Sequence, residues 1–205
     1  MEMTSNYNKV FILMFFAVLI FNCNCSGKKG NYFSITQTDL DDLKKSAKKE
    51  LELVDMYVAH DTLLIASTNN YLYYPFGKFK KLNGFIDKYF SSVEVSVDSI
   101  QGTFKQYIIT KDNCKIDIIE NDDTGYLEVV SAQLFGDCIT FVNNIKVGMN
   151  KSKFFELFFN DYSNELNEIS VVLIESGLEG IWHYYIFFNN VLTDIYIKSD
   201  YQIVD

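Results

Sequence analysis

The chain contains no arginine, because all eighteen of its basic residues are lysine, and 27 acidic residues leave a net charge of -9. Arginine supplies the planar guanidinium that binds carboxylates, phosphates and guanine edges in a bidentate manner. An acidic chain without this group would also repel a polyanion. The composition therefore argues against nucleic acid as a partner.

Histidine is scarce as well, since only His60 and His183 occur. The chain has no Gly-x-Ser-x-Gly elbow, P-loop, dinucleotide fingerprint or His-Glu-x-x-His pair. His60 and Asp61 with Ser67 resemble a fragment of a catalytic triad, although such residues are common at strand ends. The sequence thus assigns no catalytic residue and no cofactor, and enzymatic activity stays open.

Two acidic clusters carry the oxygen ligands that Ca²⁺ prefers. They are Asp39-Asp41-Asp42 and Asn121-Asp122-Asp123. A helix cap explains the first cluster more simply and a turn explains the second. No metal site is therefore predicted.

Long apolar runs are confined to the N-terminus, where Val10–Phe21 follows a short start that carries Lys9. Twelve helical residues span about 18 Å, whereas the hydrocarbon core of a membrane is about 30 Å thick. The run is therefore too short for a stable transmembrane helix. Its layout is typical of the apolar region of an export signal.

The residues at the end of this run, Ile20-Phe21-Asn22-Cys23, resemble a bacterial lipobox, in which the cysteine becomes the lipidated first residue of the mature chain. Phe21 and Asn22 replace the small residues usual in that motif. Cys25 is the second choice, and a plain secreted or a cytoplasmic protein is the alternative. This interpretation predicts lipidation at Cys23 and an exported protein that is anchored in a membrane, periplasmic or at the cell surface.

The predicted organisation is a signal peptide over residues 1–22, a flexible tether over 23–37 and one domain over 38–205. The tether is expected because residues 26–31 lack an apolar period and include two glycines. Removing the leader leaves about 180 residues, enough for one sizeable core or for two halves, 38–140 and 141–205.

Only two cysteines follow the leader, Cys114 and Cys138. In an oxidising compartment such a pair readily forms a disulfide. A hairpin around residues 122–125 would place Cys114 opposite Gln133, so Cys138 must turn back past Gly136 to come within about 7 Å. A disulfide between the two is possible on this geometry, and it stays open at the level of sequence.

The apolar spacing predicts an α+β fold with helices packed on antiparallel meanders. Helices are expected from an N-cap at Thr38 to about Glu52, over 78–90 and over 150–160. Strands are expected within 53–66, over 93–100, 104–110, 115–120 and 126–134, and three more near the C-terminus. Helix followed by meander occurs twice, which suggests two tandem repeats.

The residues Ile145, Val147, Gly148, Met149, Ser152 and Phe154 resemble the start of a helix-plus-sheet module. Such modules occur in beta-lactamase inhibitor protein-like and BamE-like folds, and the chain as a whole resembles Bacteroidetes-like envelope lipoproteins. The resemblance implies protein binding or envelope assembly and no catalytic residues. The alternative function is that of a small periplasmic ligand-binding protein or hydrolase.

The last meander has readable turns, with Asn189-Asn190 suited to a two-residue hairpin. The register pairs Tyr184 with Leu173 and thereby assigns the residues of these strands to the two faces of the sheet. One face is predicted to pack on the helix: Ile169, Val171, Leu173, Trp182, Tyr184, Ile186, Phe188, Ile195 and Ile197. The other is the candidate binding face: Val172, Ile174, His183, Tyr185, Phe187, Asp194 and Tyr196. Coverage of this second face by the first half of the chain is the alternative, and burial of Tyr185 and Phe187 would exclude the binding face.

Overall fold

The computed structural model describes residues 35–100, 104–162, 164–177 and 180–200. Three α-helices and nine strands occur in them, so the fold is α+β as the spacing predicts. The helices are α1 (Gln37–Ser46), α2 (Leu82–Tyr89) and α3 (Lys151–Phe158). The strands are β1 (Leu53–Ala59), β2 (Thr62–Ser67), β3 (Glu94–Ile100), β4 (Phe104–Lys111), β5 (Cys114–Asn121), β6 (Tyr126–Leu134), β7 (Val171–Ser176), β8 (Ile181–Phe188) and β9 (Val191–Ser199). The leader, the lipobox-like motif and Cys23 lie outside the described residues.

All nine strands form one sheet in the order β1-β2-β7-β8-β9-β6-β5-β4-β3. Every neighbouring pair is antiparallel except β2 and β7, which are parallel. The sheet is therefore mixed, and the prediction of purely antiparallel meanders is wrong at this one pairing. Strands of the C-terminal part lie between strands of the N-terminal part, so residues 38–140 and 141–205 share a single sheet. A duplication of helix and meander stays a prediction.

Helix α1 begins two residues earlier than predicted, since the sequence predicts an N-cap at Thr38. Thr36 is the N-cap, and its backbone N–H donates to Asp39 Oδ2 at 2.8 Å in a capping box. The helix also ends well before Glu52, since the chain leaves it to hydrogen-bond with the end of α3. Lys48 N donates to the Phe158 carbonyl at 2.7 Å, and Asn160 N donates to the Ser46 carbonyl at 2.8 Å. These tertiary hydrogen bonds replace the last predicted turns.

Helix α2 is shorter than the predicted range of 78–90 because the residues before it hydrogen-bond with β6 instead of forming helix. Residues 74–79 lie along the edge of β6, where the Phe79 carbonyl accepts a hydrogen bond from Leu127 N at 2.7 Å. Phe85 on α2 is buried and packs edge-on against Phe79, with ring centroids 5.5 Å apart. Residues 74–79 thus cover the part of the β6 edge that is not paired with β9.

One main apolar core lies between the helices and one face of the sheet, which we call the core face. It is defined on β7, β8 and β9 by Val172, Ile174, Ile181, His183, Tyr185, Phe187, Leu192, Ile195 and Ile197. The buried apolar residues of all three helices belong to this cluster, including Leu43, Phe85 and Phe154. Phe154 of α3 contacts Tyr185 at 4.8 Å between ring centroids and Phe187 at 5.2 Å.

A buried lysine fixes the start of α3. Lys151 is only 4% exposed, and its Nζ donates to the carbonyls of Asn167 and Ile169, each at 2.7 Å. Burial lowers the pKa of this ammonium, and the charge of Glu168 opposes the shift. Hydrogen bonds to a charged donor are stronger than neutral ones. Lys151 thus ties α3 to the segment that leads into β7.

The structure joins Cys114 and Cys138 in a disulfide with a Cα–Cα distance of 6.5 Å. Cys114 lies opposite Leu134, one residue further along than the predicted Gln133. The difference arises from a register shift between Asp117 and Ile118, which places an extra residue in β6. The bond ties β5 to the loop after β6.

Removing this disulfide should lower the free energy of unfolding by about 3 kcal/mol, as expected for a loop of this size. The residues joined are 24 apart in sequence. The variant is Cys114→Ala with Cys138→Ala, measured by denaturant unfolding beside the parent protein. A reducing agent should weaken the parent by a similar amount and leave the double variant unchanged. An unchanged midpoint for the reduced parent would contradict the expectation.

Candidate functional site

The predicted binding face is the core face over most of its extent. Val172, Ile174, His183 and Tyr185 have no exposed side-chain surface, and Phe187 is 5% exposed. The prediction is therefore wrong for these five residues, although the predicted register of β7 with β8 is correct. Both faces of β8 are rich in apolar residues, so the pattern could not tell which face α3 covers.

Asp194 and Tyr196 are separated from the other five by a bulge in β9. A register shift after Ile186 skips Thr193, so Asp194 lies opposite Ile186 and Tyr196 opposite Tyr184. Both side chains are partly exposed on the opposite face of the sheet. Ile195 and Ile197 are buried on the core face, as predicted, but the bulge pairs them with Tyr185 and His183 instead of Tyr184 and Trp182.

His183 is buried but its ring is fully hydrogen-bonded. Its Nε2 lies 3.0 Å from the Leu72 carbonyl and its Nδ1 lies 3.1 Å from the Tyr185 hydroxyl. Because a carbonyl can only accept, Nε2 carries the proton and Nδ1 accepts from the hydroxyl. Burial lowers the pKa of His183 to about 4, and the bond to Leu72 opposes the shift slightly. The neutral imidazole therefore has a structural role.

The residues of the triad fragment do not come together. His60 lies in the turn between β1 and β2 with a φ of 56°, while Ser67 ends β2. Strand β2 begins just after this turn, at Thr62, and Ser67 is five residues further along, a distance of about 16 Å. Ser67 is buried, and its hydroxyl donates to the Leu51 carbonyl at 2.5 Å. The structure thus gives these residues no shared site.

The acidic clusters have local structural roles. Asp39 belongs to the capping box of α1, and Asn121 Oδ1 accepts from Asp123 N at 2.9 Å within the turn between β5 and β6. No group of three or more metal-ligating side chains occurs among the described residues.

The opposite face of the sheet, which we call the open face, carries no described helix. Directly paired residues share a face, and one row of partners crosses eight strands. The row consists of Tyr57, Leu64, Leu173, Tyr184, Tyr196, Gln133, Lys115 and Thr110. Leu64 and Leu173 are buried yet lie outside the main core cluster. A second, smaller apolar strip therefore runs across this face.

The part of the open face over β1, β7 and β8 contains a group of aromatic side chains near one carboxylate, which we call the Glu175 cluster. It consists of Tyr57, Glu175, Trp182 and Tyr184. Trp182 lies directly opposite Glu175 and donates a hydrogen bond to its carboxylate. Burial raises the pKa of Glu175 despite this bond. Burial also raises the pKa of Tyr57 and of Tyr184, and the nearby Glu175 charge adds to both shifts.

The Glu175 cluster has no cation of its own within the described part of the chain. The ion pairs found there all involve other acids. Tyr57 is 47% exposed, so the cluster is open on the β1 side. A half-buried carboxylate among aromatic rings favours a cationic group, through charge and through cation–π contacts.

A second aromatic group lies beside the Glu175 cluster on the same face, since Tyr196 is paired with Tyr184. Phe135 packs edge-on against Tyr196 with ring centroids 5.5 Å apart, and Phe135 is 42% exposed. Burial raises the pKa of Tyr196, and the Asp194 charge contributes. Phe188 is the most exposed large apolar residue described, at 68%.

The sequence contained a signal for the Glu175 cluster. The correctly predicted register of β7 and β8 pairs Glu175 with Trp182, which places a carboxylate on the face assigned to the core. Trp182 and Tyr184 also have polar tips that need partners or water. A charged residue and two amphipathic aromatics on one face indicate partial exposure.

The best-formed cavity among the described residues has a volume of about 10 Å³ and lies between α2, the segment before it and β6. This is room for a single water molecule. None of the described helices combines the length and the apolar character needed to cross a membrane.

Comparisons of this chain with protein-family models, with curated proteins and with solved structures found no match.

The buried His183 should make stability depend on pH. Its pKa is about 4 when folded against an ordinary 6.5, so between these values the unfolded chain binds a proton that the folded chain does not. The free energy of unfolding should therefore fall by roughly 3 kcal/mol as pH drops from 7 to 4. Denaturant unfolding of His183→Gln, whose amide cannot titrate, should lack this part of the decrease.

The matched control is His60→Asn, since His60 is exposed and asparagine tolerates its positive φ. This variant should keep the pH dependence of the parent protein. An NMR titration of the His183 ring in the unmodified protein tests the same point without a substitution. A ring that titrates near pH 6.5 would contradict the assignment.

Proposed function

We propose that this protein is an exported, membrane-anchored protein-binding module that uses the open face of its sheet. The observation that carries the proposal is the Glu175 cluster, a half-buried carboxylate with aromatic neighbours and no described lysine paired to it. The partner we infer is a protein segment that places a lysine or arginine side chain into this cluster. The net charge of -9 favours such a basic partner over an acidic one.

The shape of the open face supports the same proposal. Tyr57, Trp182 and Tyr184 combine apolar area with a polar tip, the composition that is typical of protein contact sites. The exposed aromatic residues of this face begin at Tyr57 and continue to Phe188 and Phe135. The described residues offer no comparable observation for the alternative of a hydrolase or small-ligand-binding protein.

We also propose that the chain is anchored through lipid on Cys23, and that the tether over residues 23–37 links this anchor to the folded domain. The support is the position of Cys23 directly after the apolar run that ends at Phe21. Each buried methylene of a lipid chain contributes about 0.8 kcal/mol to membrane binding, so two or more acyl chains give stable attachment. The open face would then meet other envelope proteins at a membrane surface.

The binding proposal predicts a cross-link that depends on one charge. A photo-reactive phenylalanine at position 57 should give a specific adduct in the native envelope. Combining it with Glu175→Gln should reduce the adduct by about tenfold, the loss expected for one partly desolvated cation contact. The adduct is quantified by immunoblot and its partner peptide is identified by mass spectrometry.

The matched controls lie on the opposite side of the molecule. A photo-reactive residue at position 156 on α3 should give no adduct with the same partner, and Glu156→Gln should leave the position-57 adduct unchanged. Glu156 is exposed and paired with Lys153 at 2.8 Å. An adduct at position 57 that is insensitive to Glu175→Gln, or one whose partner peptide lacks lysine and arginine, would exclude the proposed contact.

The anchoring proposal predicts different results for the two leader cysteines. Cys23→Ser should abolish the lipid-dependent mass increase and move the protein out of the membrane fraction. Cys25→Ser should retain both the mass increase and the membrane fraction. Intact-mass spectrometry with fractionation measures both, and a Cys23→Ser mass that differs from the parent only by the substitution would rule out lipidation at this residue.

A further inference from the structure

Strand β3 is the last strand of the sheet, on the side remote from β1. Its register with β4 is regular over all seven residues, from Glu94 opposite Thr110 to Ile100 opposite Phe104. No described strand pairs with its outer side. The outer backbone N–H and C=O groups of such an edge are free to pair with another extended chain.

The edge at β3 lacks three of the usual features that block pairing. It contains no lysine, no proline and no bulge, and its charged residues are Glu94 and Asp98. The opposite edge is different, because β1 has a register shift between Leu53 and Asp55 and an ion pair between Asp55 and Lys44 at 2.7 Å. Natural sheets use bulges and charges of this kind to prevent edge pairing. The two edges of this sheet are therefore not equivalent.

The side chains of β3 define what an added strand would meet. Val95 and Val97 point to one face and are 39% and 63% exposed, although their partners on β4, Ile109 and Tyr107, are buried. Glu94 lies on the other face, opposite the neutral Thr110, and takes part in no ion pair among the described residues. A neighbouring strand would gain from aliphatic residues on the first face and cations on the second.

We propose that β3 binds an extended segment of a partner protein in which aliphatic residues alternate with lysine or arginine. The backbone of this segment would extend the sheet by a tenth strand, and its aliphatic side chains would cover Val95 and Val97. One of its basic side chains would lie beside Glu94. This mode of recognition takes its affinity from main-chain hydrogen bonds and its selectivity from alternate side chains. The surface is separate from the Glu175 cluster, so the inference does not depend on the proposed function.

The test uses the full-length protein and the capped heptapeptide Val-Lys-Val-Thr-Val-Lys-Val. The peptide should bind in a fluorescence anisotropy titration, and amide NMR signals of residues 94–97 should shift while those of residues 55–58 should not. The same peptide with every backbone amide N-methylated should lose binding by at least about tenfold, because its donors are blocked. Equal binding of the methylated peptide, or shifts at residues 55–58 instead, would overturn the proposal.

Charge preference gives the second part of the test. The peptide with glutamate in place of both lysines should bind about two- to fivefold more weakly, and Glu94→Lys should reverse that order. Val97→Lys should also weaken binding, whereas Val54→Lys on β1 should have no effect. Val54 is 60% exposed, so both valine variants should fold.

Two further outcomes would overturn the proposal. One is the absence of saturable binding for every peptide. The other is self-association of the protein in sedimentation analysis that Val97→Lys abolishes, since the occupant of the edge would then be a second copy of this chain.

Discussion

The parallel pairing of β2 with β7 is the constraint on which the rest of the architecture depends. It places Leu63 beside Val172 and Ile65 beside Ile174, and all four side chains are fully buried. Through this pairing the C-terminal meander enters the middle of the sheet, between the N-terminal hairpin and β6. A strand with neighbours on both sides and a helix on one face has little exposed surface, so β7 and β8 become the centre of the core.

This central position explains why polar side chains with a site-like appearance are buried. His183 satisfies both ring nitrogens with Tyr185 and the Leu72 carbonyl, and Lys151 satisfies its ammonium with two carbonyls. Buried polar groups are tolerated when they are hydrogen-bonded, and they then favour a single packing arrangement over others. In this protein they fix the joints between the inserted meander, the 3-10 turn at Asn70–Leu72 and α3.

The same insertion leaves two accessible surfaces with different chemistry. The open face presents side chains, among them a carboxylate with aromatic neighbours. The β3 edge presents backbone groups that any extended chain can use, with Glu94 and two valines to select among chains. Both surfaces carry an acidic side chain, in line with the net charge of -9. The two surfaces lie on one sheet.

The sequence by itself determined the α+β class, the positions of most strands and the register of β7 with β8, since these follow from local spacing and turn residues. The open face could be predicted only in part, as Glu175 opposite Trp182 was readable from that register. Tertiary structure decided the rest. The bulge at Thr193 shifts Asp194 and Tyr196 away from Tyr185, and the position of Phe154 selects which of two apolar faces is covered. The bulge lies within a single hairpin, but the turn residues do not predict it. The contact between Phe154 and Tyr185 joins residues that are distant in sequence, and no local pattern encodes it.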